Sequence, residues 1–366
     1  MTVGFHSPLP PARTGVADYA AALLAALRRL GKVTCGGTDA DVHLYHLGNN
    51  QLHRRIYQDA LARPGVAVLH DAVLAHFFLG SLSREAFVEE FVYNYGEWAR
   101  GLAGELWAGR ARSAQDPRYF RYPMLRRVAQ RSRALVVHNP AAARMVAEHA
   151  PEARVAEIPH LFSAPEPPPL AAVIRFRERL GLSAQTFLFG VFGHLRESKR
   201  LLVVLRACEA VRQAGGDVAL AVAGRFASTD LARAAAPWLE GPRILRFGYL
   251  PEDKFWLLAS AVDACINLRY PAAGETSGIT IRLMGLGKPV LVSASEETAR
   301  FPEGACLRVD PGPAEAEMLA QYMLWLAGDR EAAREIGRRG GAHVRERHSL
   351  EAVARQYWQV LCACAG

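Results

Sequence analysis

The 366-residue chain has no CxxC pair among its six cysteines, no apolar run near the roughly 18 residues of a membrane span, and no GxGxxG after a first strand. The first absence speaks against zinc clusters and disulfides, and Cys35, Cys208, Cys265, Cys306, Cys362 and Cys364 all have apolar neighbours that suit small buried thiols. The second excludes a membrane-spanning helix, and the third argues against a nicotinamide or flavin enzyme. Internal repeats and low-complexity segments are also missing. Lysine is scarce, four of the 44 basic residues, which reflects genome composition more than function. The opening MTVGFHSPLPPARTG interrupts any leader-like apolar run with prolines and a glycine, so a cytoplasmic protein is expected.

What is present is apolar bulk: hydrophobic residues make up 51% of a chain long enough for two cores. The net charge of +8 favours anionic partners such as phosphates, nucleotides, acidic glycans or a membrane face. Short apolar runs (VGFHSP, DVHLYHLGN, GVAVLHD, ALVVHNP, VAEIPHL) alternate with helical periodicity, as in DYAAALLAALRRLG and SREAFVEEFVYNYGEWARGLAGEL. Such alternation implies a parallel sheet covered on both faces. SAPEPPPL, with four prolines, reads as a stiff linker, after which the pattern restarts through FLFGVFG, DVALAVAG, RILRFGYL, ACINLR, PVLVSA and CLRV. The expectation is α/β: a Rossmann-like doubly wound domain over 1–164, a linker over 165–170 and a second such domain over 171–348. Open sheets of this kind bind ligands beyond the carboxyl ends of their strands, so the loops there carry the chemistry.

The stretch GETSGITIRLMGLGKPV begins polar and ends buried. It offers a carboxylate at Glu275, hydroxyls at Thr276 and Ser277, and the free amides of a helix beginning at about Ser277, an arrangement that favours phosphate. A helix merely capped by Ser277 would look the same. GHLRESKR places Arg196, Lys199 and Arg200 within five positions after a strand, enough for two cations at a diphosphate, although a solvated basic turn has the same composition. In TGVADY, Gly15 lets backbone approach a ligand, while Asp18 sits where it also offsets the helix dipole. LHDAVLAHF puts His70 and Asp71 at a strand end, either a hydrogen-bonded structural pair or two side chains that reach the ligand separately. A zinc site from His46, His70 and His76 fits no standard spacing. RYFRYPMLRRVAQRSR, with Arg121, Arg126 and Arg127, is a basic face for an acidic acceptor or an anionic membrane, or simply a solvated surface. No nucleic-acid module is recognisable.

Four segments, FHSPLPPARTGVADYAAALLAAL, VLHDAVLAHF, GHLRESKR and GETSGITIRLMGLGKPV, together resemble the retaining glycosyltransferases of the GT-B fold, family 4 or group 1. The resemblance covers nearly the whole length. It implies two Rossmann-like domains facing a cleft, a nucleotide sugar mainly on the second, the acceptor on the first, no metal and no other cofactor. It also implies that a last helix, 349–366, packs back on the first domain. Carried over by position, Gly15 approaches the donor phosphates and Lys199 grips the diphosphate. His194 stands where an arginine is usual, with Arg196 as its substitute. Glu275 resembles the glutamate that touches the donor sugar, Thr276, Ser277 and Gly278 follow as the phosphate loop, and His70 and Asp71 orient sugar or acceptor. Arg282 stands where a second glutamate binds ribose. Arginine offers donors only, so ribose is held elsewhere, or Arg282 meets another anion, or catalysis is lost. With Gly224 and Arg225 of the GRF loop, it marks the nucleotide or ribose region.

The implied reaction moves a sugar from a nucleoside diphosphate to a glycan, lipid-linked or small-molecule acceptor. The rival is a non-catalytic nucleotide-sugar or glycan-binding protein of the same fold.

Overall fold

The computed structural model of the protein describes residues 1–12 and 14–365. Two compact units emerge: 1–163 with 271–276 and 347 to the C-terminus, and 164–270 with 277–346.

In the first unit the chain runs β1 (Thr2–His6), α1 (Gly15–Leu27), β2 (Lys32–Cys35), β3 (Val42–Leu47), α2 (Arg54–Ala62), β4 (Val66–Leu69) and α3 (Ala75–Ser81). It continues through α4 (Arg84–Tyr95), α5 (Arg100–Gly109), α6 (Arg126–Arg131), β5 (Ala134–Val137), α7 (Pro140–His149) and β6 (Val155–Glu157). Among the described residues the strands form one parallel sheet in the order β2-β1-β3-β4-β5-β6. Alternate residues serve opposite cores, as strand geometry requires: Val66, Val68, Ala134 and Val136 join one cluster, Ala67, Leu69, Leu135 and Val137 the other. The long helix expected over SREAFVEEFVYNYGEWARGLAGEL is two helices. Gly96, at φ +92, turns the chain between α4 and α5, a conformation that side chains with a Cβ avoid.

The second unit follows with α8 (Leu170–Arg179), β7 (Phe187–Phe192), α9 (Leu201–Gln213), β8 (Val218–Ala223), α10 (Thr229–Leu239), β9 (Ile244–Phe247), α11 (Glu252–Ala261) and β10 (Ala264–Asn267). Then come α12 (Gly278–Gly285), β11 (Val290–Ser293), β12 (Leu307–Val309), α13 (Glu315–Gly328) and α14 (Arg330–Arg347). Its parallel sheet has the order β12-β11-β10-β7-β8-β9. The runs FLFGVF and VALAVA are buried at every position because helices cover both faces.

The last helix, α15 (Leu350–Cys364), packs on α1 of the first unit, where Tyr357, Leu361 and Cys364 join Leu23, Leu27 and Phe5. Fully burying a side chain such as Leu361 contributes about 2 kcal/mol. At the centre of this contact the hydroxyls of Tyr19 and Tyr357 share a 2.9 Å hydrogen bond. Gly366, the end of the 349–366 segment, lies outside the described residues. Two cysteines depart from expectation. Cys35 and Cys362 are exposed thiols, because β2 is an edge strand and Cys362 faces away from the buried side of α15.

Candidate functional site

In the second sheet the strand order reverses between β7 and β10, which are neighbours although far apart in sequence. Loops at such a reversal splay apart and leave room for a ligand. The two loops are GHLRESKR after β7 and the stretch leading to α12 after β10, so the topology brings together the two segments singled out from sequence. The Tyr270 amide donates to the Ser198 carbonyl at 2.8 Å and ties one loop to the other.

Lys199 is buried, and its ammonium donates to the Phe192 carbonyl at 2.6 Å. Gly193, at φ +87, lies against it: a Cβ there would sit 2.9 Å from Lys199 Nζ and 3.8 Å from Ile279 in the first turn of α12. The lysine ammonium and the amide end of α12 thus share one neighbourhood. Ser277 caps that helix, accepting from the Thr280 amide at 3.4 Å, and its hydroxyl also accepts from Asn267 at 2.5 Å and Arg269 at 3.2 Å. These bonds use the oxygen as acceptor and leave its proton, so the donors that Ser277 and Gly278 have for an anion are that O–H and the main-chain amides. Arg196 is exposed at the start of the turn that carries Lys199. His194 is held below its ordinary pKa by partial desolvation and then by the positive charges of Arg196, Lys199 and Arg225. Arg200 is not part of this group. Its guanidinium pairs with the buried carboxylate of Glu315, with Nε at 2.9 Å, a partner 115 residues away that local sequence does not reveal.

The GRF loop is knitted to the same place. Leu195 donates to the Arg225 carbonyl at 2.8 Å and Ala227 to the Leu195 carbonyl at 2.8 Å. Arg225 is exposed and its guanidinium lies 5.8 Å from the Tyr249 ring. Arg282 extends from α12 over Phe255 and Trp256, 5.3 and 5.2 Å from the ring centroids, and pairs with Glu252 at 3.4 Å. A carboxylate therefore stands beside Arg282 and is supplied by α11.

In the first unit the reversal falls between β1 and β3. Thr14 caps α1 by accepting from the Ala17 amide at 3.1 Å, and Gly15 is exposed at the first helical position. His70 is buried, with Nε2 and His46 Nδ1 sharing a 2.9 Å hydrogen bond, which leaves Nδ1 as the ring nitrogen a ligand could reach. Its pKa is pushed well below the ordinary value, first by burial and then by His46, His138, His160 and His53, so it is neutral at pH 7. Asp71 accepts from the Asn49 amide at 2.8 Å and closes the turn after β3. As the strand geometry requires, His70 and Asp71 bond to different partners. His76 lies beside Asn49, Tyr119 and Phe120. Among the described residues no group of three or more His, Cys, Asp or Glu side chains is placed to hold a metal ion.

Glu275 and Thr276, expected in the second domain, belong to the first unit. Ala72 and Val73 both donate to the Ala273 carbonyl, at 2.8 and 3.0 Å, and the Glu275 carboxylate accepts from the Ala273 amide at 2.7 Å. Sequence reasoning missed Asn139, His138 and His160. The signal was there: His6, His46, His70, His138 and His160 all stand at or just past strand ends, and the last four ring Tyr19. The arginine stretch is largely committed within the first unit. Arg127 pairs with Glu90 at 2.6 Å and lies over Tyr93, Arg126 reaches the Tyr93 carbonyl at 3.3 Å, and Arg121 is exposed.

Residues 200–359 match the family model described as glycosyl transferase-like. No curated protein matches the chain significantly by sequence. Among solved structures it is similar to HepE from Anabaena in complex with UDP-glucose, with a TM-score of 0.70 and 15% identity over 99% of this chain and 100% of that one. Sucrose-phosphate synthase from Thermosynechococcus elongatus aligns with a TM-score of 0.72 and 15% identity over 99% and 98%. WaaG, a glycosyltransferase involved in lipopolysaccharide biosynthesis, aligns with a TM-score of 0.63 and 14% identity over 98% and 99%. At these identities the likeness establishes the fold, which is GT-B.

Proposed function

We propose that the protein transfers a sugar from a nucleoside-diphosphate sugar to a glycan, lipid-linked or small-molecule acceptor, with retention and without a metal. The observation that carries this reading is the buried Lys199 ammonium beside Gly193 and the first turn of α12, at the reversal of the second sheet. When the donor's sugar bond breaks, negative charge develops on the departing phosphate. Lys199 and the amides of Ser277 and Gly278 are preorganised for that charge, and such groups cost no reorganisation during reaction, while the exposed Arg196 adds a second cation beside them. The departing phosphate can accept the acceptor's proton on the face it leaves, so neither a protein base nor a covalent carboxylate is needed. Glu275, His70 and Asp71 orient sugar and acceptor, and Gly15 gives the diphosphate room. HepE was solved with UDP-glucose, which makes a uridine nucleotide the first donor to try. Arg121 is the exposed contact for an acidic acceptor or an anionic membrane, which liposome flotation at low salt would test.

The test is a thermal-shift titration with UDP, GDP, ADP and TDP in EDTA, repeated for Lys199→Ala. A rise in Tm for one nucleotide, absent in the variant, supports the donor site. Equal shifts in both proteins would remove Lys199 from it. The binding-protein reading draws on Arg282, which cannot accept from ribose hydroxyls and already pairs with Glu252. Donor hydrolysis without acceptor separates the two: a protein that binds the nucleotide yet never hydrolyses or transfers the sugar is the binding protein.

A further inference from the structure

We infer that Asn139 is a positioning residue that holds the Glu275 carboxylate in its working place. The inference rests on the role proposed above for Glu275.

The chain leaves the second unit after Tyr270, gives residues 271–276 to the first and returns at Ser277. These six residues have no regular secondary structure, so hydrogen bonds to the surrounding protein must define their course. Asn139 supplies the two that bracket Glu275. Its Nδ2 donates to the carbonyl of Gly274 at 2.9 Å and to the hydroxyl of Thr276 at 3.0 Å, the residues immediately before and after the glutamate. Thr276 in turn donates to the His138 carbonyl at 3.2 Å. Gly274 is seated by shape as well: at φ +69, with a hypothetical Cβ 2.6 Å from that of Ala72, it accepts no side chain.

The identity of residue 139 argues for a purpose beyond capping. Asn139 also caps α7, its Oδ1 accepting from the Ala142 amide at 2.9 Å. Serine, threonine or aspartate would cap equally well. Only a carboxamide both accepts at the helix end and donates two N–H groups elsewhere. At 1% exposure, with its oxygen fixed by the cap, the amide cannot turn without losing all three bonds. A carboxylate that must meet a sugar within a few tenths of an ångström needs such support from behind.

The test variant is Asn139→Ser, which keeps a capping oxygen and removes both donors. We expect kcat for transfer to fall on the order of 10- to 100-fold while the Kd for the bare nucleoside diphosphate stays at the wild-type value. Hydrogen exchange of the amides across 272–276 should accelerate, with α7 unchanged. An unchanged kcat overturns the inference, and so does a loss of nucleotide affinity parallel to the loss of turnover, which marks a general structural defect. Unchanged exchange across 272–276 overturns it without reference to activity. Should Asn139→Ser fold poorly, Asn139→Asp keeps the side-chain shape and the capping oxygen, removes both N–H donors and is read in the same way. Wild-type protein that binds no nucleoside diphosphate would instead sink the functional reading, while the exchange result would still decide whether Asn139 holds the segment.

Discussion

Gly224 lies so close to Gly193 that a Cβ built on it would fall 1.9 Å from the Gly193 carbonyl oxygen. Its φ of +150 is also one that a side chain disfavours. This contact joins the loop after β8 to the loop that carries Lys199, and the Gly193 amide donates back to the Ala223 carbonyl at 2.9 Å. Gly224→Ala must therefore push the two loops apart. We expect a loss of about 2–3 kcal/mol in urea unfolding, since backbone cannot yield as a flexible side chain does, together with loss of nucleotide binding. A variant with wild-type stability and affinity would show that the two loops part without consequence.

A second expectation concerns acid. His138 and His6 are each pushed down to about 4, both chiefly by burial, and burial likewise holds His46 and His70 well below the ordinary value. In the unfolded chain these histidines titrate near 6.5, so above that pH neither state is protonated and they leave stability unchanged. Below it the unfolded chain takes up protons that the folded protein refuses, and stability falls as pH drops from about 6.5 towards 4. Glu90, raised by burial, opposes this trend as a single group. Urea midpoints should hold steady above about pH 7 and decline from 6.5 to 5, before most carboxylates titrate. A flat profile over that interval would mean that the histidines around Tyr19 are hydrated.

Much of this was legible because parallel strands buried on both faces stand out as short apolar runs, and because Lys199 and Ser277 follow strands whose loops meet at a sheet reversal. What stayed hidden depends on distant partners. Arg200 looks like a third phosphate cation until Glu315 is seen against it. Residues 271–276 read as part of the second domain, but the Ala72 and Val73 amides and Asn139 hold them on the first unit. Gly96 was concealed by EWARGLAGEL, whose helical periodicity resumes right after the break.

Gly15 differs from Gly224 in a way that makes it informative. A Cβ there would meet nothing within 4 Å, and its φ lies outside the range that side chains avoid. Neither packing nor backbone conformation within the described residues asks for glycine at the first position of α1. Gly15→Ala should therefore leave stability unchanged or raise it by about 0.5–1 kcal/mol, because alanine restricts the unfolded chain and favours helix. If the donor's phosphates approach this backbone closely, the added methyl meets them instead, and transfer falls on the order of 10- to 100-fold. Steady-state kinetics beside a urea melt reads both effects at once. A stable variant with impaired turnover means that the glycine is kept for a ligand, and unimpaired turnover would remove Gly15 from the donor site.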